Sequence, residues 1–327
     1  MPTPAVSVVI PAYQVSAYIA ETLASVFAQT MTNLEVIVVN DGSPDTPALR
    51  AALAPYRDRI HYLEQPQGGP SKARNTAIAA ARGELLAFLD GDDLWAPEFL
   101  ASQLARLAAD PQAVLVWADS QPFGAGPAVP TLMTSEPPTG PCDLAALVTG
   151  RCVVFTSTTV ARRQAVLEAG GFDERYHRSE DYDLWLRLVL RGRLLYNRAV
   201  LGRRRLHPTS QSASPTAMLQ AQIAVRRHFI ASHGVSEDIR RLAEATDRRC
   251  EAQIALAEGK RLLAAGDAPA ARRALTAAAR TLPSFKLAAT VRLLAVAPSL
   301  AVALHRWRDG AQARRAPDGL TAAAPPR

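Results

Sequence analysis

A single aspartate and a cluster of three aspartates follow short apolar segments of the chain. Asp41 comes after Leu34–Val39, and the turn Asp90-Gly91-Asp92-Asp93 comes after Leu85–Leu89. If these segments are parallel strands, both groups lie at the carboxyl edge of one sheet, where open α/β sheets bind ligands. Three aspartates in four residues repel one another unless a cation or hydrogen-bond donors neutralise them, so a divalent-metal site competes with a solvated turn. Oxygen ligands favour Mg²⁺ or Mn²⁺ over Zn²⁺.

The elements that would position these carboxylates are short apolar runs alternating with helical periodicity, from residue 5 to about 120. Such alternation is typical of βαβ units that build a mostly parallel sheet with helices on both faces, so we expect an α/β fold. The strand candidates are Val6–Ile10, Leu34–Val39, Ile60–Leu63, Leu85–Leu89, Val114–Trp117 and, later in the chain, Val153–Val160. Residues 120–142 hold six prolines and three glycines, which predicts a long irregular excursion.

The last third of the chain differs in composition and charge. Residues 1–213 carry 19 basic and 21 acidic residues, whereas 214–327 carry 18 and 9, which gives the second part a net charge of +9. Ala, Leu and Arg in helical periodicity predict an all-helical extension over 214–327, with a tetratricopeptide-like hairpin at Ala257–Pro283. The apolar segment Leu287–Leu304 contains Arg292 and Pro298, so we do not interpret it as a transmembrane span.

The whole chain has 327 residues, of which 48% are hydrophobic and 20% charged. This composition excludes a chain that is disordered along its whole length, and it allows a large hydrophobic core. The three cysteines form no CxxC pair, so their spacing supports neither a disulfide framework nor a zinc site and favours a reducing compartment.

No basic segment followed by a long apolar run opens the chain, which predicts a cytoplasmic protein. Because the basic extension contains an apolar segment, we also expect peripheral contact with the anionic inner face of the plasma membrane. Nucleic acid is not expected as a partner, because the extension has few aromatic residues for stacking.

Several motifs occur in an order and spacing that resemble one family. They are Val8-Val9-Ile10-Pro11-Ala12-Tyr13, Val38-Val39-Asn40-Asp41-Gly42-Ser43, Gly68-Gly69-Pro70-Ser71-Lys72-Ala73-Arg74-Asn75, Phe88-Leu89-Asp90-Gly91-Asp92-Asp93, Gly170-Gly171-Phe172-Asp173-Glu174 and Glu180-Asp181-Tyr182-Asp183-Leu184-Trp185. Together they resemble the family-2 inverting glycosyltransferases with the GT-A fold, over about residues 5–212. Each motif alone is weak, and their common order makes the resemblance specific.

The resemblance implies a site for a nucleotide-sugar donor and a divalent cation, Mn²⁺ or Mg²⁺. The metal ligands would be Asp92 and His207, since a cation offsets the charge of a leaving nucleoside diphosphate. The residues at the nucleotide would be Pro11, Tyr13, Asp41, Lys72, Arg74 and Asp90. Ordinary alternatives remain: Asp41 could cap the turn that follows it, Arg74 could be a solvated helix residue, and His207 could be a loop residue beside Pro208.

The resemblance also assigns a catalytic base. Inversion requires a group that removes the proton of the acceptor hydroxyl while its oxygen attacks the anomeric carbon. Asp181 resembles that base, although the Glu180-Asp181 pair could instead stabilise a helix N-terminus through the helix dipole. The sequence departs from the family pattern at Gln14, where asparagine is usual, and at Asn40, where aspartate is common.

The expected function is therefore metal-dependent inverting sugar transfer to an acceptor hydroxyl, on a carbohydrate or lipid-linked acceptor, in surface polysaccharide or glycolipid synthesis. The expected catalytic domain is 1–213, followed by the helical extension at 214–327. The alternative is a catalytically silent relative that binds a nucleotide or a partner. A dehydrogenase is disfavoured, because no G-x-G-x-x-G follows the first strand.

Overall fold

The computed structural model describes residues 3–124, 138, 140–207 and 214–304. The chain divides into two compact units, Met1–Thr246 and Asp247–Arg327. The first unit extends beyond residue 213 because the helix that begins at Pro215 packs Val225 and Phe229 into the core of the sheet domain. The expected boundary at residue 213 was based on the change in composition. The division into a catalytic domain before it and a helical extension after it stays a prediction.

The strands in the described part of the chain form one mixed sheet, in the order β3-β2-β1-β4-β7-β6-β8-β5. Strands β1 to β4 pair in parallel and make one half of the sheet. In the other half β6 and β8 are parallel, whereas β7 and β5 pair antiparallel to their neighbours. Their bounds are β1 (Val6–Ala12), β2 (Leu34–Asp41), β3 (His61–Gln65), β4 (Leu85–Phe88), β5 (Leu94–Trp95), β6 (Ala113–Gly124), β7 (Thr159–Arg162) and β8 (Arg193–Leu206).

The central strands are apolar at successive positions because helices cover both faces of the sheet. In β2, Val36 and Val38 belong to one hydrophobic core, and Ile37 and Val39 to the other. Side chains alternate between the faces of a strand, so an unbroken apolar run supplies both cores. These buried ladders hold the carboxyl ends of β1, β2 and β4 side by side, and the polar residues that follow them share one edge.

The helices divide between the two faces. Those whose buried residues join the core with Val36 and Val38 are α1 (Ile19–Phe27), α2 (Thr46–Leu53) and α4 (Phe99–Ala109). Those of the opposite face are α3 (Pro70–Ala80), α5 (Leu144–Thr149), α6 (Arg163–Glu168), α7 (Glu180–Leu188) and α8 (Pro215–Ser232). The expected α/β class, with helices on both faces, is confirmed.

Three sequence expectations about the sheet need correction. Strand β8 was not predicted, because its five arginines are untypical of a strand, and it lies between β6 and the short edge strand β5. The predicted strand Val153–Val160 begins only at Thr159, after a 3-10 turn at Thr156–Thr158. Residues 120–124, assigned to the irregular excursion, extend β6. Residues 125–137 and 139 of that excursion lie outside the described part of the chain.

Two of the cysteines are joined, which the spacing argument did not anticipate. Cys142 and Cys152 form a disulfide, with Cα atoms 5.7 Å apart, while Cys250 is free and buried. The short helix α5 between them ends at Gly150 with φ of +71°, where the chain turns back toward Cys142. The cysteine pattern therefore no longer favours a reducing compartment, and a cytoplasmic location stays a prediction.

The remaining helices are α9 (Glu237–Ala265), α10 (Ala268–Ala279) and α11 (Phe285–Val296). Gly266, with φ of +92°, and Asp267, whose side chain accepts from the Ala270 N–H, turn the chain between α9 and α10. Residues 298–304 are also helical. Among the described residues, no helix combines the length and apolar character that crossing a bilayer requires.

Candidate active site

The structure gathers most of the predicted site residues at one edge of the sheet. Pro11 and Tyr13 lie at the end of β1, Asp41 ends β2, and Asp90 and Asp92 follow β4. Lys72 and Arg74 lie in the first turns of α3, and Asp181 lies in the first turn of α7. The side chain of Tyr13 is 39% exposed, so its ring remains accessible at this edge.

Asp41 holds the segment that leads into α3. Its Oδ1 accepts hydrogen bonds from the Gly68 N–H at 2.8 Å and from Gln65 Nε2 at 2.7 Å, and its Oδ2 accepts from the Gly69 N–H at 2.7 Å. Gly69 has φ of +88°, and a Cβ there would lie 3.0 Å from His177 Nδ1. The buried Asp41 carboxylate thus fixes a glycine turn beside the segment that precedes α7. Asp41 therefore binds backbone N–H groups of the turn at Gly68 and Gly69 and not those of the turn that follows it, and its contact with the nucleotide stays a prediction.

Of the two departures from the family pattern, the one at Asn40 has a local explanation. Asn40 donates from Nδ2 to Thr46 Oγ1 and to the Tyr62 hydroxyl, and its Oδ1 accepts the Ser43 N–H. An ionised aspartate at this position has no N–H group, so it could not donate hydrogen bonds to these two oxygens. Gln14 has φ of 55°, a left-handed conformation that asparagine tolerates better than glutamine, so the structure accounts for the usual asparagine and gives no reason for the glutamine.

One face of α3 is hydrogen-bonded to the segment before α7. Ser71 Oγ donates to the Tyr176 carbonyl at 2.9 Å. The Asn75 amide accepts from the Phe172 N–H at 2.9 Å and donates to the Phe172 carbonyl at 2.8 Å. Residues spaced by three and four lie on the same side of a helix, so Ser71, Arg74 and Asn75 all face this segment. The sequence placed Ser71 and Asn75 in a motif but gave neither a role.

Arg74 lies at the centre of that face and joins two carboxylates. Its Nη2 is 2.7 Å from Asp90 Oδ1, and its Nη1 is 2.6 Å from Glu180 Oε1. Arg74 and Glu180 are almost fully buried, whereas the Asp90 side chain is 37% exposed. A buried guanidinium needs opposite charge, so these two carboxylates neutralise it. Arg74 is therefore not a solvated helix residue, and through it the turn after β4 is connected to the acidic pair of α7.

The three aspartates after β4 have different surroundings. Asp93 is buried and accepts the Arg205 N–H at 2.8 Å, so it fixes the end of β8. Asp92 is partly exposed, and its Oδ2 lies 2.7 Å from His207 Nε2. Burial and the neighbouring aspartates raise the pKa of both Asp92 and Asp93. The sequence could not rank the three; the geometry leaves Asp90 and Asp92 accessible and turns Asp93 inward.

Asp181 is held by two hydrogen bonds at the start of α7. Thr156 Oγ1 donates to its Oδ2 at 2.7 Å, and the Tyr182 N–H donates to its Oδ1 at 2.7 Å. Burial, followed by the charge of Glu180, raises the pKa of Asp181 from 3.8 to about 6. A carboxyl group that is partly exposed and has a pKa near neutrality suits proton abstraction from a hydroxyl group.

Arg205 is a site residue that the sequence argument passed over. Its Nε donates to the Asp92 carbonyl at 2.9 Å, its Nη2 pairs with Glu21, and its guanidinium lies 4.7 Å from the ring centre of Tyr18. The Tyr18 ring also lies 5.3 Å from the ring of His207. The run of arginines at 203–205 was the available signal. These contacts hold the end of β8, and with it His207, against the turn after β4.

Comparison with solved structures defines the class of fold. Staphylococcus aureus TarS 1-349 in complex with UDP-GlcNAc matches with a TM-score of 0.61 and 20% identity, over 93% of this chain and 92% of that one. The mannosyltransferase PcManGT from Pyrobaculum calidifontis, in complex with GDP-Man and Mn²⁺, matches with a TM-score of 0.60 and 23% identity, over 96% and 85%. The fold is that of the GT-A glycosyltransferases, as the sequence resemblance implied.

Family models and curated relatives then identify the family. The model described as glycosyl transferase family 2 matches residues 7–169, and one described as glycosyltransferase like family 2 matches residues 143–208. The uncharacterized glycosyltransferase EpsJ of Bacillus subtilis is 46% identical over 91 residues, 28% of this chain and 26% of EpsJ. The succinoglycan biosynthesis protein ExoW of Rhizobium meliloti is 41% identical over 112 residues, 32% of this chain and 35% of ExoW.

The chain belongs to the family-2 glycosyltransferases. The matched segments span about a quarter to a third of the length of these two relatives.

Proposed function

We propose that this chain transfers a sugar from a nucleotide-sugar donor to the hydroxyl group of a carbohydrate or lipid-linked acceptor, with inversion at the anomeric carbon. The observation that carries the proposal is the link from Asp181 through Glu180 and Arg74 to Asp90. It connects a carboxyl group suited to proton abstraction with the turn where a donor and its cation would bind. In the proposed step Asp181 takes the hydroxyl proton, the acceptor oxygen bonds to the anomeric carbon, and the nucleoside diphosphate leaves with the electrons of the broken C–O bond.

The residues after β4 fit a divalent cation. Among the described residues, no group of three His, Cys, Asp or Glu side chains is arranged to bind a metal ion. Asp92 and His207 nevertheless place an oxygen and a nitrogen 2.7 Å apart, beside the partly exposed Asp90. Mg²⁺ is commonly held by one or two carboxylates together with substrate phosphates and waters, so the carboxylates of Asp92 and Asp90 would suffice, and His207 could add a nitrogen ligand for Mn²⁺. A bound Mn²⁺ or Mg²⁺ would offset the negative charge that develops on the leaving diphosphate.

The nucleotide itself would lie over the ends of β1 and β2. Pro11, Tyr13 and Asp41 line that edge, and Lys72 lies beside the glycine turn that Asp41 fixes. The neighbours TarS and PcManGT were solved with UDP-GlcNAc and GDP-Man, which supports a nucleotide-sugar donor here. The likeness to the succinoglycan protein ExoW supports a place in polysaccharide synthesis. A cytoplasmic location agrees with such a donor and is part of this proposal.

A screen of sugar nucleotides tests the proposal. The full chain is incubated with each donor and a panel of carbohydrate and lipid-linked acceptors with free hydroxyl groups, with and without Mn²⁺ or Mg²⁺. Release of nucleoside diphosphate is measured for the parent and for Asp181→Asn as a matched control. We expect cation-dependent release with at least one donor, reduced about a hundredfold or more in the variant. Nucleotide binding without release by either protein would instead establish the silent relative. Release at equal rates from both proteins would show that Asp181 is not the base.

A further inference from the structure

The second unit contains a long segment without negative charge. Between Asp267 and Asp309 the chain has seven Lys or Arg residues and no acidic residue. Five of the seven lie in the described part of the chain, and all five are exposed: Arg272, Arg273, Arg280, Lys286 and Arg292. None of these five forms an ion pair with another described residue. Their charge is therefore available to an anionic partner.

The same segment exposes large apolar side chains. Phe285 is 88% exposed and Val296 is 81% exposed, the highest values among the large hydrophobic residues described. They are eleven residues apart in α11, about three helical turns, so they lie on the same side of the helix, and Arg292 is exposed between them. Leu300 and Leu304 are exposed in the helical stretch that follows, one turn apart.

We infer that this α11 surface, made of Phe285, Lys286, Arg292, Val296, Leu300 and Leu304, docks the second unit on a bilayer that contains anionic lipids. Exposed apolar side chains beside Lys and Arg are the composition of helices that lie in the headgroup region, where the apolar groups enter the acyl boundary and the cations meet lipid phosphates. The absence of acidic residues removes the repulsion that such a surface would otherwise meet. The contact is peripheral and does not depend on the transfer reaction proposed above.

Co-sedimentation with vesicles tests this inference. The full chain is mixed with phosphatidylcholine vesicles, or with vesicles containing about 30% phosphatidylglycerol, at about 0.1 M and about 0.5 M NaCl. We expect binding to the anionic vesicles that falls at the higher salt concentration, and little binding to the neutral ones. Equal binding to both vesicle types, or no binding to either, overturns the inference.

Two pairs of substitutions locate the surface. Phe285→Ser with Val296→Ser removes exposed apolar area, and Lys286→Gln with Arg292→Gln removes two charges. Each basic residue near an anionic surface changes affinity about fivefold, so the charge pair should weaken binding about 25-fold. Leu190→Ser, which changes a residue 48% exposed in the first unit, is the matched control and should bind like the parent.

The outcomes separate a membrane from other partners. Unchanged vesicle binding by both pairs assigns the contact to another part of the chain and overturns the inference. Light scattering on the same proteins tests whether the surface instead mediates self-association. Self-association that both pairs abolish, without vesicle binding by the parent, makes the surface a protein interface and also overturns it. Because release of nucleoside diphosphate is measured without vesicles, failure of docking leaves the proposed reaction untouched.

Discussion

The pKa of Asp181 leads to a prediction about the pH dependence of transfer. Its surroundings raise that pKa from 3.8 to about 6. A carboxyl group with a pKa of 6 is about 90% ionised near pH 7 and about 10% ionised near pH 5, whereas one with a pKa of 3.8 stays above about 90% ionised at both. If the ionised form of Asp181 is the base, kcat/KM should fall about tenfold between pH 7 and pH 5.

Glu180 provides the perturbation. The substitution Glu180→Gln keeps an oxygen that accepts from Arg74 but removes the negative charge that helps raise the pKa of Asp181. The acid limb of the kcat/KM profile should then move to lower pH, while hydrogen bonds from Thr156 and Tyr182 still hold the carboxylate. Glu174→Gln is the control, because Glu174 is exposed and bonds only Asn75 among the contacts described. An acid limb near pH 4 in the parent, or one that Glu180→Gln leaves in place or moves upward, would refute the reasoning.

Stability should change in the opposite direction to activity. The pKa of Asp181 is higher in the folded state than in the unfolded chain, so the protein loses stability as the pH rises from about 4 to about 6. A difference of about two pKa units corresponds to about 3 kcal/mol. Asp181→Asn escapes this loss and should be more stable than the parent near pH 8, by up to about 3 kcal/mol, and similar to it near pH 4. Urea unfolding at both pH values measures the difference, and a variant that is less stable at pH 8 contradicts the raised pKa.

Three further outcomes are expected. Asp92→Asn removes a charged ligand, so calorimetry should show weaker Mn²⁺-dependent binding of nucleoside diphosphate, whereas Asp181→Asn should bind nearly as the parent; normal binding by Asp92→Asn would place the cation elsewhere. Gln14→Asn should raise the free energy of unfolding by about 0.5 kcal/mol, because asparagine tolerates the positive φ better, and a loss of stability would contradict that explanation. Cys142→Ser opens the disulfide to Cys152, which closes a loop of ten residues, and should cost about 2–3 kcal/mol under oxidising conditions and little under reducing ones.

The parallel half of the sheet could be predicted because its strands carry their signal locally. Unbroken apolar runs such as Val36–Val39 supply both cores, and β1 to β4 lie within a few residues of their expected positions. Strand β8 could not be predicted, because it is rich in arginine and exists through its pairing with β6. Its stability as a strand is a tertiary property that local composition does not express.

The carboxylates of the site were predictable by type, but their partners were not. The motifs named Asp90, Asp92 and Asp181, whereas the ion pair of Arg74 with Glu180 joins residues 106 positions apart. Thr156, which holds Asp181, lies in a segment that the sequence assigned to a strand. Asp93 belongs to the same turn as Asp92 and is buried where it accepts the Arg205 N–H at the end of β8. Such contacts depend on how distant segments meet.

The bonded face of α3 constrains how this family member can change over evolution. Ser71, Arg74 and Asn75 each bond a different point of the segment between Phe172 and Glu180. Inserting one residue between Ser71 and Arg74 would rotate the two parts of that face by about 100° relative to each other, since a helix has 3.6 residues per turn. The hydrogen bonds of Ser71, Arg74 and Asn75 could then no longer all form at the same time. Length variation should therefore be tolerated in loops away from this helix, and substrate range should diversify there while the length of α3 stays constant.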